Sequence, residues 1–196
     1  MERALTLLSA VAQDGGTLSQ LARAAELSPS TASRLLATLA SQELVRRDEH
    51  GHYHAGARLR QLAAETGETA NLAVAADRER VVYLRQVAGS KLVQTAAWAG
   101  RTIPQHGTAL GAALSGETGE HGYVARTGAV EPDVTSIAAP VHGPDGDIAA
   151  ALSVLIPTYR ASTRRVQGCG RAVARHAAEL SGSLGAPAVP ARGAAA

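Results

Sequence analysis

Phenylalanine is absent from this chain, and tryptophan, cysteine, methionine and lysine each occur once; four tyrosines complete the aromatic set. Each scarcity excludes something. A lone Cys169 leaves no intrachain disulfide and no multi-cysteine zinc or iron–sulfur site, and it suits a reducing cytoplasm. No run approaches the roughly 18–20 consecutive apolar residues that a spanning helix needs, so no membrane helix is expected. Met1-Glu2-Arg3 leads straight into an amphipathic pattern without the apolar region of a secretory signal, and a cytoplasmic location follows as the expectation. So few rings imply a core of many small side chains, with modest stability per residue. There are no internal repeats and no charge blocks, and a net charge of +2 is too small to establish a nucleic-acid partner by itself.

What is present is ordinary globular material, 45% hydrophobic and 18% charged, and 196 residues suffice for one large or two small domains. Residues 2–13 place Leu5, Leu8 and Ala12 on one helical face, stopped by Gly15-Gly16. Thr17 or Ser19 can cap a second helix ending near Leu27. Ser28-Pro29 then reads as a cap followed by proline in the first turn, opening a third helix to about Gln42 with Ala32, Leu35, Leu36 and Leu39 inward. Leu44 to His54 reads as a β-hairpin around the polar turn Asp48–Gly51. Three short helices closed by a hairpin make a winged helix-turn-helix.

Beyond it, a short helix from Leu59 to about Glu65 ends at Gly67. Strands are expected at 70–75, 80–87, 91–98, 121–126, 134–141 and 147–155, with a loop at 100–107, a helix at 108–114 and a final helix over about 162–184. Pro144-Asp145-Gly146 marks a tight turn between the last two strands. The expected division is 1–57, 58–184 and an alanine- and proline-bearing tail, 185–196, without fixed structure.

A recognition helix needs short polar and guanidinium side chains that reach base edges, with flanking groups that hold phosphates. Ser30, Thr31, Ser33 and Arg34 on the third helix, with Thr38 beyond them, suit both tasks, Arg34 taking guanine or phosphate, and Arg46, Arg47, His52 and His54 in the hairpin suit the backbone or the minor groove. The alternative is a solvated polar face on a protein-interaction domain. His50, His52 and His54 alternate and would share one strand face, yet no carboxylate or cysteine completes a metal site, so no metal and no cofactor are expected. Catalytic signatures are absent: no Gly-x-Ser-x-Gly elbow, no His-Glu-x-x-His, no phosphate-binding loop. Gly168-Cys169-Gly170 lacks the third glycine of a dinucleotide fingerprint, where Val173 stands, and Cys169 reads as a buried small apolar residue.

Several segments in order resemble the IclR family of bacterial transcriptional regulators. They are Glu2-Arg3-Ala4-Leu5, Ser30-Thr31-Ala32-Ser33-Arg34-Leu35-Leu36, Leu44-Val45-Arg46-Arg47, Thr66-Gly67-Glu68-Thr69, Val82-Tyr83-Leu84, Gly100-Arg101 with Pro104, His106 and Thr108, Ile137-Ala138-Ala139-Pro140-Val141, and Ala149 to Val154. The resemblance implies an α+β protein, a winged helix-turn-helix followed by a GAF-like α/β effector domain with an antiparallel sheet. It implies a sensor of a small metabolite, and the hydroxyls and backbone N–H groups of the candidate pocket suit a small polar or carboxylic acid as the small-molecule effector. The recognition helix points to a double-stranded DNA operator, and because one winged helix offers few contacts a homodimer or dimer of dimers is expected. The resemblance also implies effector contacts from Gly100, Thr102, Glu131, Ser136 and Ser153. The chain departs from the family's pattern in a short link between Ala55 and Glu65, a missing stretch between Leu114 and Gly122, Pro29 at the start of the recognition helix, Ser136 in place of a cysteine and Leu155 in place of a second serine. If 134–141 and 147–155 pair about the turn, Ser136 and Ser153 face each other on one side of the sheet. The apolar residues Leu5, Leu8, Leu59 and Leu62 are the expected dimer contact. Two rival readings are a small-molecule- or partner-binding protein that lost operator binding through its short link, and an enzyme using the α/β pocket, for which no nucleophile–base pair can be named.

Overall fold

In the computed structural model of the protein, residues 6–7, 10–11, 15–41, 45–55 and 57–187 are described. Residues 6, 7, 10 and 11 are helical, with Leu7 and Val11 fully buried; Leu5, Leu8 and Ala12 lie outside the described residues. Thr17 is the cap of α1 (Leu18–Ala24): its hydroxyl accepts from the Gln20 amide while the Gln20 side chain accepts from the Thr17 amide. The reciprocal pair satisfies two N–H groups that no helix can satisfy internally. At the other end Leu27 N donates to Ala22 O and Glu26 N to Arg23 O, and Glu26 takes the left-handed conformation (φ 54°) that usually falls to glycine. That turn delivers the chain to Ser28, whose hydroxyl accepts from Thr31 N at the start of α2 (Pro29–Ser41). Ala32, Leu36 and Leu39 are buried, as the helical spacing predicts, and Leu35 is half-buried.

The hairpin is β2 (Val45–Arg47) and β3 (His52–Ala55), in antiparallel register with Arg46 opposite His54. Asp48 builds the turn by accepting from the amides of His50 and His52, and Gly51 supplies a positive φ. His50 therefore belongs to the turn and not to the strand face expected for all three histidines. A two-residue strand, β1 (Gly16–Thr17), adds to β3 and makes the wing three-stranded.

One ten-residue helix, α3 (Ala57–Thr66), leads from the wing to the second sheet. Its apolar residues are not a surface. Leu59 and Leu62 are buried in a cluster that runs from Leu7, Leu36 and Tyr53 to Leu72, Val154 and Val173, so they are unavailable for the dimer contact expected of them. The sheet has the order β6-β5-β4-β9-β8-β7 and is antiparallel throughout. Its strands are β4 (Thr69–Ala75), β5 (Arg80–Val87), β6 (Thr102–Pro104), β7 (Val124–Thr127), β8 (Val134–His142) and β9 (Ile148–Pro157). Alternation along each strand gives it two faces. Leu72, Ile137, Leu152, Val154 and Ile156 pack against α3 and α5 (Thr163–Ser183). Ala73, Val81, Tyr83, Ala138 and Ala151 face the other way, toward α4 (Ala109–Leu114), which is capped by Thr108.

Two expectations fail for identifiable reasons. Residues 91–98 are not a strand, because the outer edge of β5 is already taken by β6 and by Gly100 N donating to Tyr83 O. The segment instead lies as a loop fastened by the Gln86 side chain, which donates to Ala96 O and accepts from Trp98 N. The β8–β9 register is also displaced: Ser136 faces Leu155 and Ser153 faces Ala138. The turn centres on residue 145, with His142 opposite Ile148, and a bulge that leaves Ala149 unpaired then shifts the register by one more, so the two serines share a face as diagonal neighbours and do not stand opposite.

Helix α4 is held at backbone distance by Gly111, where an added Cβ would stand 1.6 Å from Gln105 O. Gly111→Ala should therefore lower stability by about 1–3 kcal/mol or more through overpacking. Urea denaturation checks this: an unchanged midpoint would mean α4 sits farther from residue 105.

Candidate nucleic-acid interface and effector cavity

On α2 the predicted residues divide by what their side chains already do. Ser30 and Thr31 share the cap: the Ser28 hydroxyl lies 3.1 Å from the Ser30 hydroxyl and donates to that of Thr31 at 2.9 Å. Thr38 donates back to Arg34 O at 3.1 Å. Ser33 and Arg34 are exposed on the same helix. In the wing, Arg46 and Arg47 are exposed, with the Arg47 guanidinium 5.6 Å from the centre of the Tyr53 ring. His52 is half-buried, with its ring 3.9 Å from an Asp48 oxygen. The His54 side chain lies outside the described residues. Among the described residues no three His, Cys, Asp or Glu side chains gather to hold a metal ion.

The second site is a cavity of about 470 Å³ between the sheet face, α4 and the loops 93–98 and 129–133. Glu131 and Ser136 line it. Gly100, Thr102 and Ser153 do not: Gly100 turns the chain with φ +79°, Thr102 is exposed on the edge strand, and Ser153 is fully buried one row deeper in the sheet. Ser153 stands opposite Asn71 on β4, and neither its hydroxyl nor the Asn71 side-chain amide has a hydrogen-bond partner among the described residues. The residues that sequence reasoning missed are mainly aromatic. Tyr83 and Trp98 form one wall, their ring centres 5.8 Å apart and tilted by 37°, and Tyr159 lies at the rim. A sequence signal existed: in a chain with five aromatic residues, Tyr83 and Trp98 flank one loop, and three of the five rings reach this cavity. Arg126, opposite Ser136 on β7, lines the cavity together with Glu131 and Asp133, and Arg160 adjoins it by donating to Val93 O.

Together these features define a winged helix-turn-helix joined to an α/β sensor fold. Residues 1–49 match the IclR helix-turn-helix domain, and residues 52–121 and 116–182 match the C-terminal domain of the bacterial transcriptional regulator IclR. The chain belongs to the IclR family: transcriptional regulators with a DNA-binding helix-turn-helix and a C-terminal effector-binding domain. It is 26% identical to the HTH-type transcriptional regulator BhcR of Paracoccus denitrificans, over 92% of this chain and 85% of that protein. It is 32% identical to the transcriptional repressor IclR of Escherichia coli, over 61% of this chain and 53% of that protein. The crystal structure of Thermotoga maritima IclR shares the fold, with a TM-score of 0.59 at 16% identity over 94% of this chain and 98% of that one. Family membership disfavours the rival reading of a binding protein without an operator. No helix among the described residues is long and apolar enough to cross a membrane.

Burial pushes the Tyr83 phenol up from 10.0 to about 12. Ultraviolet titration of the folded protein should show a tyrosine step near pH 12 that Tyr83→Phe removes. A Tyr83 that ionises at the ordinary tyrosine value would contradict its place in the cavity wall.

Proposed function

We propose that α2 lies in the major groove of a double-stranded operator, with Ser33 and Arg34 reaching base edges and Ser30, Thr31 and Thr38 flanking them. The wing, through Arg46, Arg47, His52 and His54, meets the adjoining backbone. The observation that carries this reading is the arrangement of exposed cations: Arg34 on α2 and Arg46 and Arg47 on the hairpin that follows it, without an ion-pair partner for Arg34 among the described residues. Guanidinium groups free of internal pairing are suited to phosphate and guanine, which they hold by two parallel hydrogen bonds.

The division at residues 57/58 falls at the start of α3, so the helix carries the join between reader and sensor. A small-molecule effector occupies the cavity bounded by Glu131 and Ser136. Two copies bind together in the cytoplasm, because a single winged helix makes few contacts and paired half-sites about 34–36 Å apart double them.

The test is fluorescence anisotropy with a labelled fragment of the promoter region beside the protein's own gene. Arg34→Ala should weaken binding by about 1–3 kcal/mol, with an unchanged melting temperature. Affinity should fall steeply with salt as counterions return to the phosphates. A folded Arg34→Ala protein that binds with wild-type affinity would place the recognition surface elsewhere.

A further inference from the structure

His176 lies on α5 with 4% of its side chain exposed, while the other histidines whose side chains are described are exposed or half-buried. The two nitrogens of its ring meet different surroundings. Nε2 stands 3.0 Å from a carboxylate oxygen of Glu65, in the last turn of α3. Nδ1 is buried without a hydrogen-bond partner among the described residues, and a carboxylate oxygen of Glu179, one turn along α5, lies 4.0 Å away.

The position of the ring hydrogen follows from these neighbours. The Arg175 guanidinium, and then His176, hold the Glu65 carboxyl below the ordinary carboxylate range, so near neutral pH it is ionised and can only accept. Nε2 therefore carries the hydrogen, and in the neutral ring Nδ1 presents a lone pair to the second carboxylate. That arrangement is unfavourable twice over: a buried acceptor goes unpaired, and it faces a negative charge. One more proton, taken from solvent, reverses both. Nδ1–H becomes a donor toward Glu179, and a shift of about 1 Å closes the gap to a charge-assisted hydrogen bond. The same charge turns the Nε2–H contact to Glu65, which spans the two helices, into an ion pair.

The other charged groups near the ring set the balance. Arg175 donates to Glu65 and to Glu179, and Arg58, at the start of α3, donates to Glu179. Two cations and two anions thus cancel while the imidazole is neutral. Arg60 of α3 and Arg85 of β5 lie on the same side of the sheet, where burial and then the Arg60 charge hold Arg85 below the ordinary guanidinium range. These two add a repulsion that the carboxylates must offset. Burial pushes up the thiol of Cys169, two turns back along α5, so it brings no charge. Beneath α5, β8 and β9 present apolar groups such as Ile137, Val141, Leu152 and Val154, and Arg126 of β7 turns to the cavity.

We propose that His176 is a proton-operated fastening for the helix that joins the wing to the sensor sheet. Protonated at Nδ1, it holds Glu179 in place for Arg58 and grips Glu65 as a cation, so α3 is bound to α5 more firmly in mild acid than in mild alkali. Because α3 is the covalent link between wing and sheet, this grip sets how firmly the two are coupled.

A fold that binds the proton more firmly than the unfolded chain gains stability as pH falls from 8 to 6, the range in which imidazoles take up a proton. Urea midpoints of the wild type and of His176→Gln are compared at these two pH values. Glutamine keeps an N–H for Glu65 and cannot be protonated, and every other histidine is common to both proteins. The wild-type midpoint should rise relative to that of the variant by about 0.5 M urea between pH 8 and pH 6. Glu65→Gln, which removes the charge across the helices, should lose about half of that gain or more. A midpoint difference that is the same at both pH values, or that shrinks in acid, would overturn the proposal.

The wild type alone supplies a second measurement should His176→Gln fail to fold. Two-bond proton–nitrogen spectra of the His176 ring should show Nδ1 protonated at pH 6 and bare at pH 8. A folded protein whose Nδ1 is still bare at pH 6 would overturn the proposal equally.

Discussion

Glu68 is a carboxylate with 1% of its side chain exposed, and the second half of the molecule is arranged around keeping it paired. Arg160 donates to both of its oxygens, from Nε at 3.1 Å and from a terminal nitrogen at 2.7 Å, and Arg165 adds a third contact at 3.0 Å. A buried charge left with one partner missing costs about 3–5 kcal/mol, so these guanidinium positions are not free to drift. Five chain segments meet there. Glu68 immediately precedes β4, Arg160 ends the 3-10 turn Thr158–Arg160 that follows β9, and Arg165 lies in the first turn of α5 and donates also to Thr66 O at the end of α3. The fifth is the cavity loop, where Arg160 donates to Val93 O at 2.9 Å.

That joint lies between the two functional regions. The loop over the cavity has two fastenings, Gln86 at residues 96 and 98 and Arg160 at residue 93. The second fastening is shared with the end of the helix that leads back to the wing. Along its length α3 is held differently on its two sides. Leu59 and Leu62 enter the core, while Arg58 pairs with Glu179, and Glu65 takes contacts from Arg175 and His176. The Arg175 guanidinium, and then His176, hold the Glu65 carboxyl below the ordinary carboxylate range. A link of ten helical residues thus reaches the sensor with charged contacts at its start and at its end.

Much of this was legible because local chemistry decides it. Thr17, Ser28, Thr108 and Ser162 each cap a helix from within hydrogen-bond reach of its first turn, and such signals survive without knowledge of the rest of the chain. The turn at 144–146 was equally local, yet the register it sets was not, since the exact centre of the turn and one unpaired residue, Ala149, each move every partner along the strand by one. Residues 91–98 read as a strand because their pattern suits one; what denied them a ladder was a competing edge, β6, visible only in three dimensions. The cavity was hardest of all. Tyr83 and Tyr159 are far apart in sequence, and only the order of the sheet and the crossing loop bring them to one opening. Ser153, on the expected face, lies one row too deep to reach it.

If the Glu68 cluster is the joint on which both the cavity loop and the linking helix depend, one conservative change should loosen both. Arg160→Lys retains a positive charge for Glu68 but cannot span Glu68 and Val93 O with a planar fork. Amide hydrogen exchange on this variant should show protection falling together at residues 89–98 and at Gly67, whose amide donates to Ala63 O in the last turn of α3. Gln86→Ala, which removes the other fastening, should loosen the loop alone. Faster exchange confined to the loop in Arg160→Lys, with Gly67 protected as in the wild type, would contradict the account.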